Sequence, residues 1–429
     1  MWKSAFSRVR ARPYLALFAV AAGVRIAFVA TLDPGSLTWP DEAVFDDIAR
    51  RLAATGEYDS SPYRATPGLP AMLAAVYLLF GHSYPAARLV QALTGGLLAI
   101  AVAATGEELF DRRTGMLAGV GVAFYPPLVY LAGVFYAEHL AAVLLAATVW
   151  SLVHGERRGS PRFLALAGFL GGLLALTRPV YMVFIPVAAL HAGLRAAPRR
   201  ALRNGALVLG IAALTIAPWT IRNAVVFDRF LPVATGFGEH LWRGNNPLAR
   251  GDADDRHMAP ADDIWVERAM ALGTATERRE ALRLGEQLAA RLEARDSFER
   301  DALFRDRALA WAADHPGRFL ILSGRRLLTL YSPFSRTLTA NEVSSPRNRL
   351  IATLALLPIL ALGLPGAVIA LRRNHDAWIV HAAILAPTLV YAVLAAATRF
   401  RLPFDALWIL LAAVAFDGTK KPPPGGRKK

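Results

Sequence analysis

Long uncharged runs rich in Leu, Ala, Val and Ile alternate with short polar connections along most of the chain. A hydrocarbon core of about 30 Å takes roughly 20 helical residues. Runs near that length lie at 13–32, 85–105, 115–131, 138–154, 163–178, 179–194, 204–221, 349–371, 377–397 and 402–416. The pattern predicts an all-α polytopic membrane protein with about ten transmembrane helices and both termini on one side. Several runs are short, and the 163–194 pair is divided only by Thr177, Arg178 and Pro179, so the even parity stands on firmer ground than the count.

Two stretches break the alternation, residues 33–84, rich in Asp, Tyr, Pro and Gly, and residues 222–348, charged in both signs. In the first, Val44, Phe45, Ile48, Ala49 and Leu52 recur at helical spacing behind Pro40, which predicts a helix with one apolar face. In the second, residues 262–313 hold few Gly or Pro and space Ile264, Ala269, Leu272, Leu282, Leu288, Leu292, Leu303 and Leu309 at a loose helical period, predicting a small helical cap. Residues 317–331 are too short and too basic for a span and suit an amphipathic helix at the membrane surface. The chain thus divides into an N-terminal transmembrane module 1–221 containing loop 33–84, a helical loop domain 222–348, C-terminal transmembrane helices 349–416, and a basic tail 417–429.

Composition agrees, with 55% hydrophobic residues and a mean hydropathy of +0.36. Charge adds orientation. The formal +15 resides in clusters between apolar runs, at Arg112/Arg113, Arg157/Arg158/Arg162, Arg195/Arg199/Arg200/Arg203, Arg372/Arg373 and the tail from Lys420. These fall in alternate connections, so the positive-inside bias puts them and both termini in the cytoplasm, and the two long polar stretches outside. Without an aromatic-interleaved basic face, the charge gives no support for nucleic acid as a partner. With no cysteine there is no disulfide framework and no thiolate chemistry. Arg8, Arg10 and Arg12 precede the first run, and no small-residue cleavage site follows, which reads as a retained span. No P-loop, GxGxxG, GxSxG or HExxH occurs, so nucleotide binding, serine hydrolysis and zincin chemistry lack support.

The stretch "TWPDEAVFDD" places Asp41 and Glu42 together behind Pro40. Acids in a first turn complement the helix dipole, so one reading is a helix cap; the other is general-base or metal-ligand chemistry. The same loop supplies Tyr63 and the cation Arg64. Arg178, Arg222, Arg399 and Arg401 sit at the expected outer ends of spans, where an orientation rule favouring inner cations does not explain them. Each is either an interface anchor or part of an anion site suited to a lipid phosphate. Glu138 opens the fourth run and is either a helix-start acid or a third acid on the same cavity. His139 reads as structural, and Arg25, inside the first run, calls for a buried acid or carbonyl. The pairs Gly115/Gly119 and Gly168/Gly172 read as close helix contacts.

The stretches "PDEAVFDDIARRLAATGEY", "YRATPGLPAMLAAVYLLFG", "ARLVQAL", "YPPLVYLAGVFYAEHL", "LTRP", "PWTIRNAVVFDRFLPVATGFGEHLWRGNNP" and "RFRLP" come in an order, and at places relative to the spans, that resemble the GT-C glycosyltransferases. The resemblance is to the bacterial family 39 group related to protein O-mannosyltransferases and lipid A aminoarabinose transferases. It implies a multi-span enzyme of the bacterial plasma membrane with an outward-facing site. The donor would be a polyprenyl-phosphate monosaccharide, and the acceptor a hydroxyl on an envelope glycan, lipid or protein. Asp41 matches the catalytic acid, which activates that hydroxyl for inverting attack, with Glu42 beside it. Arg64, Arg178, Arg399 and Arg401 would hold the lipid phosphate; Tyr63, Glu138, Arg222 and Asn245 are further candidates. The aminoarabinose branch carries a Glu-Lys pair where this chain has Ala65-Thr66, so that pair's roles do not transfer and a divalent metal ion stays open as a cofactor. The competing classes are a transporter or flippase, for which broken midplane helices would be expected, and a catalytically silent membrane scaffold.

Overall fold

The computed structural model describes residues 2–58, 66–194, 197–252, 254–255, 258–293, 295–332 and 346–418. Tyr63, Arg64 and the basic tail from residue 419 lie outside the described residues. Among those described, all regular structure is helical. The N-terminal part comprises α1 (Trp2–Val29), α2 (Pro40–Thr55), α3 (Gly68–Phe80), α4 (Tyr84–Leu109), α5 (Arg112–Phe124), α6 (Pro126–Tyr130), α7 (Ala137–Arg158), α8 (Pro161–Thr177), α9 (Phe184–Gly193) and α10 (Pro198–Phe227). There follow α11 (Phe237–Gly244), α12 (Asp263–Met270), α13 (Ala275–Glu293), α14 (Ser297–Asp314) and α15 (Pro316–Tyr331), then α16 (Pro346–Arg373), α17 (Trp378–Val393) and α18 (Leu402–Phe416).

Among the described residues, six helices are long and apolar enough to cross a membrane: Arg12–Val29, Tyr84–Leu109, Ala137–Arg158, Pro198–Phe227, Leu350–Arg373 and His375–Val393. Arg112–Phe124 with Pro126–Gly133, bent by 58°, makes a seventh if counted as one span. The protein is thus a multi-pass membrane protein, all-helical and with six or seven such spans among the described residues, where the apolar runs suggested about ten. The difference arises at the runs that form α8, α9 and α18, whose helices are short. Nor did the pattern foresee α3, an apolar helix inside the first polar stretch.

The bend after α5 has a local cause. Pro126 and Pro127 carry no N–H, so the carbonyls of Val122 and Ala123, four residues earlier, lose their helical donors. Arg25 replaces those donors. Its Nη2 donates to the Val122 carbonyl at 3.1 Å, and its Nη1 to those of Ala123 at 3.3 Å and Ala21 at 3.0 Å. The carbonyl partner expected of Arg25 is therefore a proline-freed helix end, and the two Nη groups of a buried guanidinium supply the donors that two orphan acceptors lack.

Around this joint the bundle is tight. A Cβ on Gly115 would come within 2.3 Å of the Ala103 carbonyl oxygen, and one on Gly168 within 2.6 Å of that of Val208, so the glycine pairs do bring α5 against α4 and α8 against α10. Helix α18, buried along nearly its whole length, packs against α5, α7 and α16. A second, smaller core joins Leu241 and Trp242 of α11, Trp265 of α12, Leu288 of α13 and Phe304 of α14. Helix α15 buries Leu322, Arg326 and Leu330 and exposes Leu320, Ile321 and Leu328.

Candidate functional site

The site is built on the first turns of α2 and α7. Trp39 occupies the N-cap position of α2 and gives no side-chain cap bond. Glu42 supplies the cap instead. Its Oε1 accepts the backbone N–H of Thr38 (3.0 Å) and Trp39 (2.9 Å), and its Oε2 accepts that of Phe135 (2.8 Å), just before α7. Burial pushes the Glu42 carboxyl above the ordinary range, opposed by these N–H groups. Glu42 therefore fastens the start of α2 to the start of α7. Arg88 and Gln91, on α4, hold the same region. Arg88 donates to the carbonyls of Asp33, Ser36 and Gly133, and Gln91 to those of Ala132 and Val134.

With Glu42 turned inward, the neighbouring Asp41 faces away from it and is 45% exposed. Arg399, in the short turn Thr398–Arg401 before α18, donates from Nη1 to Asp41 Oδ2 at 2.8 Å. Its Nε lies 3.5 Å from Glu138 Oε1, and the same Glu138 oxygen accepts from Nη2 of Arg178, the residue that ends α8. Asp41, Arg399, Glu138 and Arg178 thus form one chain of alternating charge drawn from four elements. Aromatic rings wall it: the Arg399 guanidinium carbon lies 4.8 Å from the Tyr136 ring centre, and that of Arg178 lies 5.0 Å from Phe400. Gly68 lets α3 close in alongside, since a Cβ there would fall 2.1 Å from Thr177 Oγ1, next to Arg178.

The other sequence candidates are placed differently. Arg401 turns inward, its Nε donating to both Asp405 oxygens (2.9 and 3.1 Å) and its Nη1 to the Leu330 carbonyl, while Tyr125 O–H donates to Asp405 Oδ2 at 2.9 Å. Asn245 is buried, donating to the carbonyls of Leu241 and Val393 and accepting from Arg326. Arg222 stacks among Trp219, Tyr58 and Phe227 and donates to the Tyr58 carbonyl at 3.4 Å. His139 is buried against Thr94, in keeping with a structural residue. Sequence reasoning missed Tyr136 and Phe400 as walls and Arg88 as a brace. The i,i+4 spacing of Arg401 and Asp405 was a readable signal for an ion pair.

Chemically, the arrangement offers an exposed carboxylate beside two guanidiniums. Planar, multiply donating guanidiniums suit phosphate oxygens, and a carboxylate suits a hydroxyl proton. A metal fits these residues poorly. Among the described residues no group of three His, Cys, Asp or Glu side chains converges as a metal site would require. Between Asp41 and Glu138 stands the cationic Arg399 instead.

Residues 64–221 match the family model for dolichyl-phosphate-mannose-protein mannosyltransferase, which bears out the resemblance read from the motifs. No curated protein matches the chain in a sequence search. Among solved structures, the chain is similar to the Archaeoglobus fulgidus oligosaccharyltransferase tethered to an acceptor peptide, at 14% identity and a TM-score of 0.55, over 94% of this chain and 49% of that one. It is also similar to the oligosaccharyltransferase AglB of that organism in complex with an inhibitory peptide and a dolichol-phosphate, at 15% identity and 0.51, over 94% and 50%. ArnT from Cupriavidus metallidurans bound to undecaprenyl phosphate aligns over 97% of this chain and 78% of its own at 17% identity, with a TM-score of 0.41, too low to show a common fold. The chain spans about half the length of the archaeal proteins, and the likeness to them is one of fold.

Proposed function

We propose that this protein is an integral-membrane glycosyltransferase that moves a monosaccharide from a polyprenyl-phosphate donor to an acceptor hydroxyl outside the cytoplasm of a bacterial cell. The observation that carries this reading is the exposed Asp41 carboxylate at the end of the Arg399–Glu138–Arg178 chain. The match of residues 64–221 to the mannosyltransferase model supports it, as does the dolichol-phosphate in the complex of the archaeal neighbour.

In the proposed reaction, Asp41 accepts the proton of the acceptor hydroxyl while that oxygen bonds to the anomeric carbon. The carbon's bond to the phosphate oxygen breaks on the opposite face, inverting the centre. The electron pair stays on the phosphate, where Arg178 and Arg399 stabilise the arriving charge. Arg401, spent on Asp405, supports the turn that aims Arg399. All four residues of the chain stand at helix ends, whereas a transporter site would be expected at broken helices near the midplane.

The proposed topology has ten crossings, with α8, α9 and α18 as short spans sheltered by their neighbours, and with residues 33–84 and 222–348 outside. Because the chain has no cysteine, single cysteines report it directly. Replacements of Ser36 and Glu299 should label in intact cells, and one at Ser160 should not; the reverse pattern would place the site among cytoplasmic substrates and end the proposal. For activity, mass spectrometry of envelope glycans and glycolipids should show a saccharide present with the wild type and absent with Asp41→Asn. Identical envelopes from cells with the wild type, with Asp41→Asn and without the protein would remove the glycosyltransferase reading.

A further inference from the structure

Among the described residues, the Tyr136 hydroxyl is a buried polar group left unsatisfied beside the charge chain, as is the Nε of Arg178 within it. The residue is 1% exposed, and its oxygen has no hydrogen-bond partner among the described residues. A buried hydroxyl without a partner costs folding free energy, and native interiors keep few. Nothing in the packing requires the oxygen, because a phenylalanine would fill the same space and present the same ring to the Arg399 guanidinium. The backbone around it is firmly held, with Tyr136 N–H donating to the Val134 carbonyl at 2.9 Å and the N–H of Phe135 donating to Glu42. The ring stands against the Arg399 guanidinium, two residues before Glu138, and burial together with the charges of Arg399, Asp41, Glu138 and Glu42 acts on its hydroxyl.

We propose that the Tyr136 hydroxyl binds the lipid-linked phosphate, donating its O–H to a phosphate oxygen beside Arg399. The assignment rests on the reading of Arg178 and Arg399 as the phosphate site. A phenol O–H directed at an oxyanion is a charge-assisted hydrogen bond, and a low local dielectric strengthens it. The cost of a buried hydroxyl without a hydrogen-bond partner is recovered when the phosphate enters. Tyr136 is thus a binding residue in which stability and function oppose each other, as happens where a site is prepared for a ligand.

The test uses the full-length protein in lipid nanodiscs with undecaprenyl phosphate as the probe, comparing wild type, Tyr136→Phe and Arg399→Ala. For Tyr136→Phe we expect a Tm equal to or above that of the wild type, and an affinity for undecaprenyl phosphate weaker by about tenfold or more. A lowered Tm would mean that the hydroxyl has a structural partner, and would overturn the proposal. Unchanged affinity in Tyr136→Phe with affinity lost in Arg399→Ala would overturn the role of Tyr136 and leave the phosphate site standing. Equal binding by all three proteins, or no binding by the wild type, would remove the phosphate reading and this inference with it.

Discussion

Arg399 and Arg401 stand one residue apart on the same short turn, and each pairs with an aspartate, yet the two ion-pair systems are of different kinds. The Arg401–Asp405 pair is buried, at 3% and 0% exposure, and its hydrogen-bonding capacity goes to Tyr125 and the Leu330 carbonyl. Closed in this way, the pair organises the base of α18. Arg399 instead shares Glu138 with Arg178 and meets an Asp41 that is nearly half exposed. An anion can join such a chain by exchanging contacts with its guanidiniums, and a hydroxyl can approach Asp41 from solvent. The same residue types therefore make a structural joint where both partners are buried, and a candidate site where the carboxylate is open to solvent.

The sharpest test of this contrast is Asp41→Asn, which keeps shape and removes basicity. Transfer should fall by about 10²–10⁴-fold, the usual contribution of a general base, with thermal unfolding nearly unchanged; near-normal turnover would make Asp41 a bystander. On the closed side, Arg401→Ala strands the Asp405 carboxylate in the interior and should cost about 3–5 kcal/mol of stability. Denaturant unfolding in mixed micelles would measure it, and a loss under about 1 kcal/mol would erase the difference between the two arginines. Arg399→Lys retains charge but not the planar fork. It should raise the donor KM about tenfold with little change in Tm, while Arg401→Lys should show its effect in Tm first.

Smaller effects discriminate within each system. Glu42→Gln replaces an acceptor-only group facing three backbone N–H donors, and should cost about 1–3 kcal/mol while lowering transfer less than Asp41→Asn does. The opposite ranking, with Glu42→Gln folding normally and Asp41→Asn unfolding, would exchange the roles given to these neighbours. Tyr125→Phe removes one donor from Asp405 and should cost about 1 kcal/mol, leaving donor KM as it was.

Four of the site residues were visible in the chain for a physical reason. Asp41 is an acid behind a helix-start proline, Glu138, Arg178 and Arg399 are charges at the ends of apolar runs, and the three-dimensional structure joins them in a single row. Glu42 and Arg401 shared the same local signals and were given the same chemistry. What separates them is contact across the chain: the N–H of Phe135, 93 residues from Glu42, and the carbonyl of Leu330, 71 residues from Arg401.

From the sequence alone, then, came the all-helical membrane architecture, because an apolar run must close its own backbone hydrogen bonds in lipid. The sequence also marked which charges needed an explanation. The tertiary structure alone decided which carboxylate caps the helix and which faces outward, which arginine is spent and which meets the exposed carboxylate, and that the Tyr136 hydroxyl stands among them without a partner among the described residues. Local pattern fixes the periodicity of burial, but the satisfaction of a polar group depends on what the fold brings to it from distant segments.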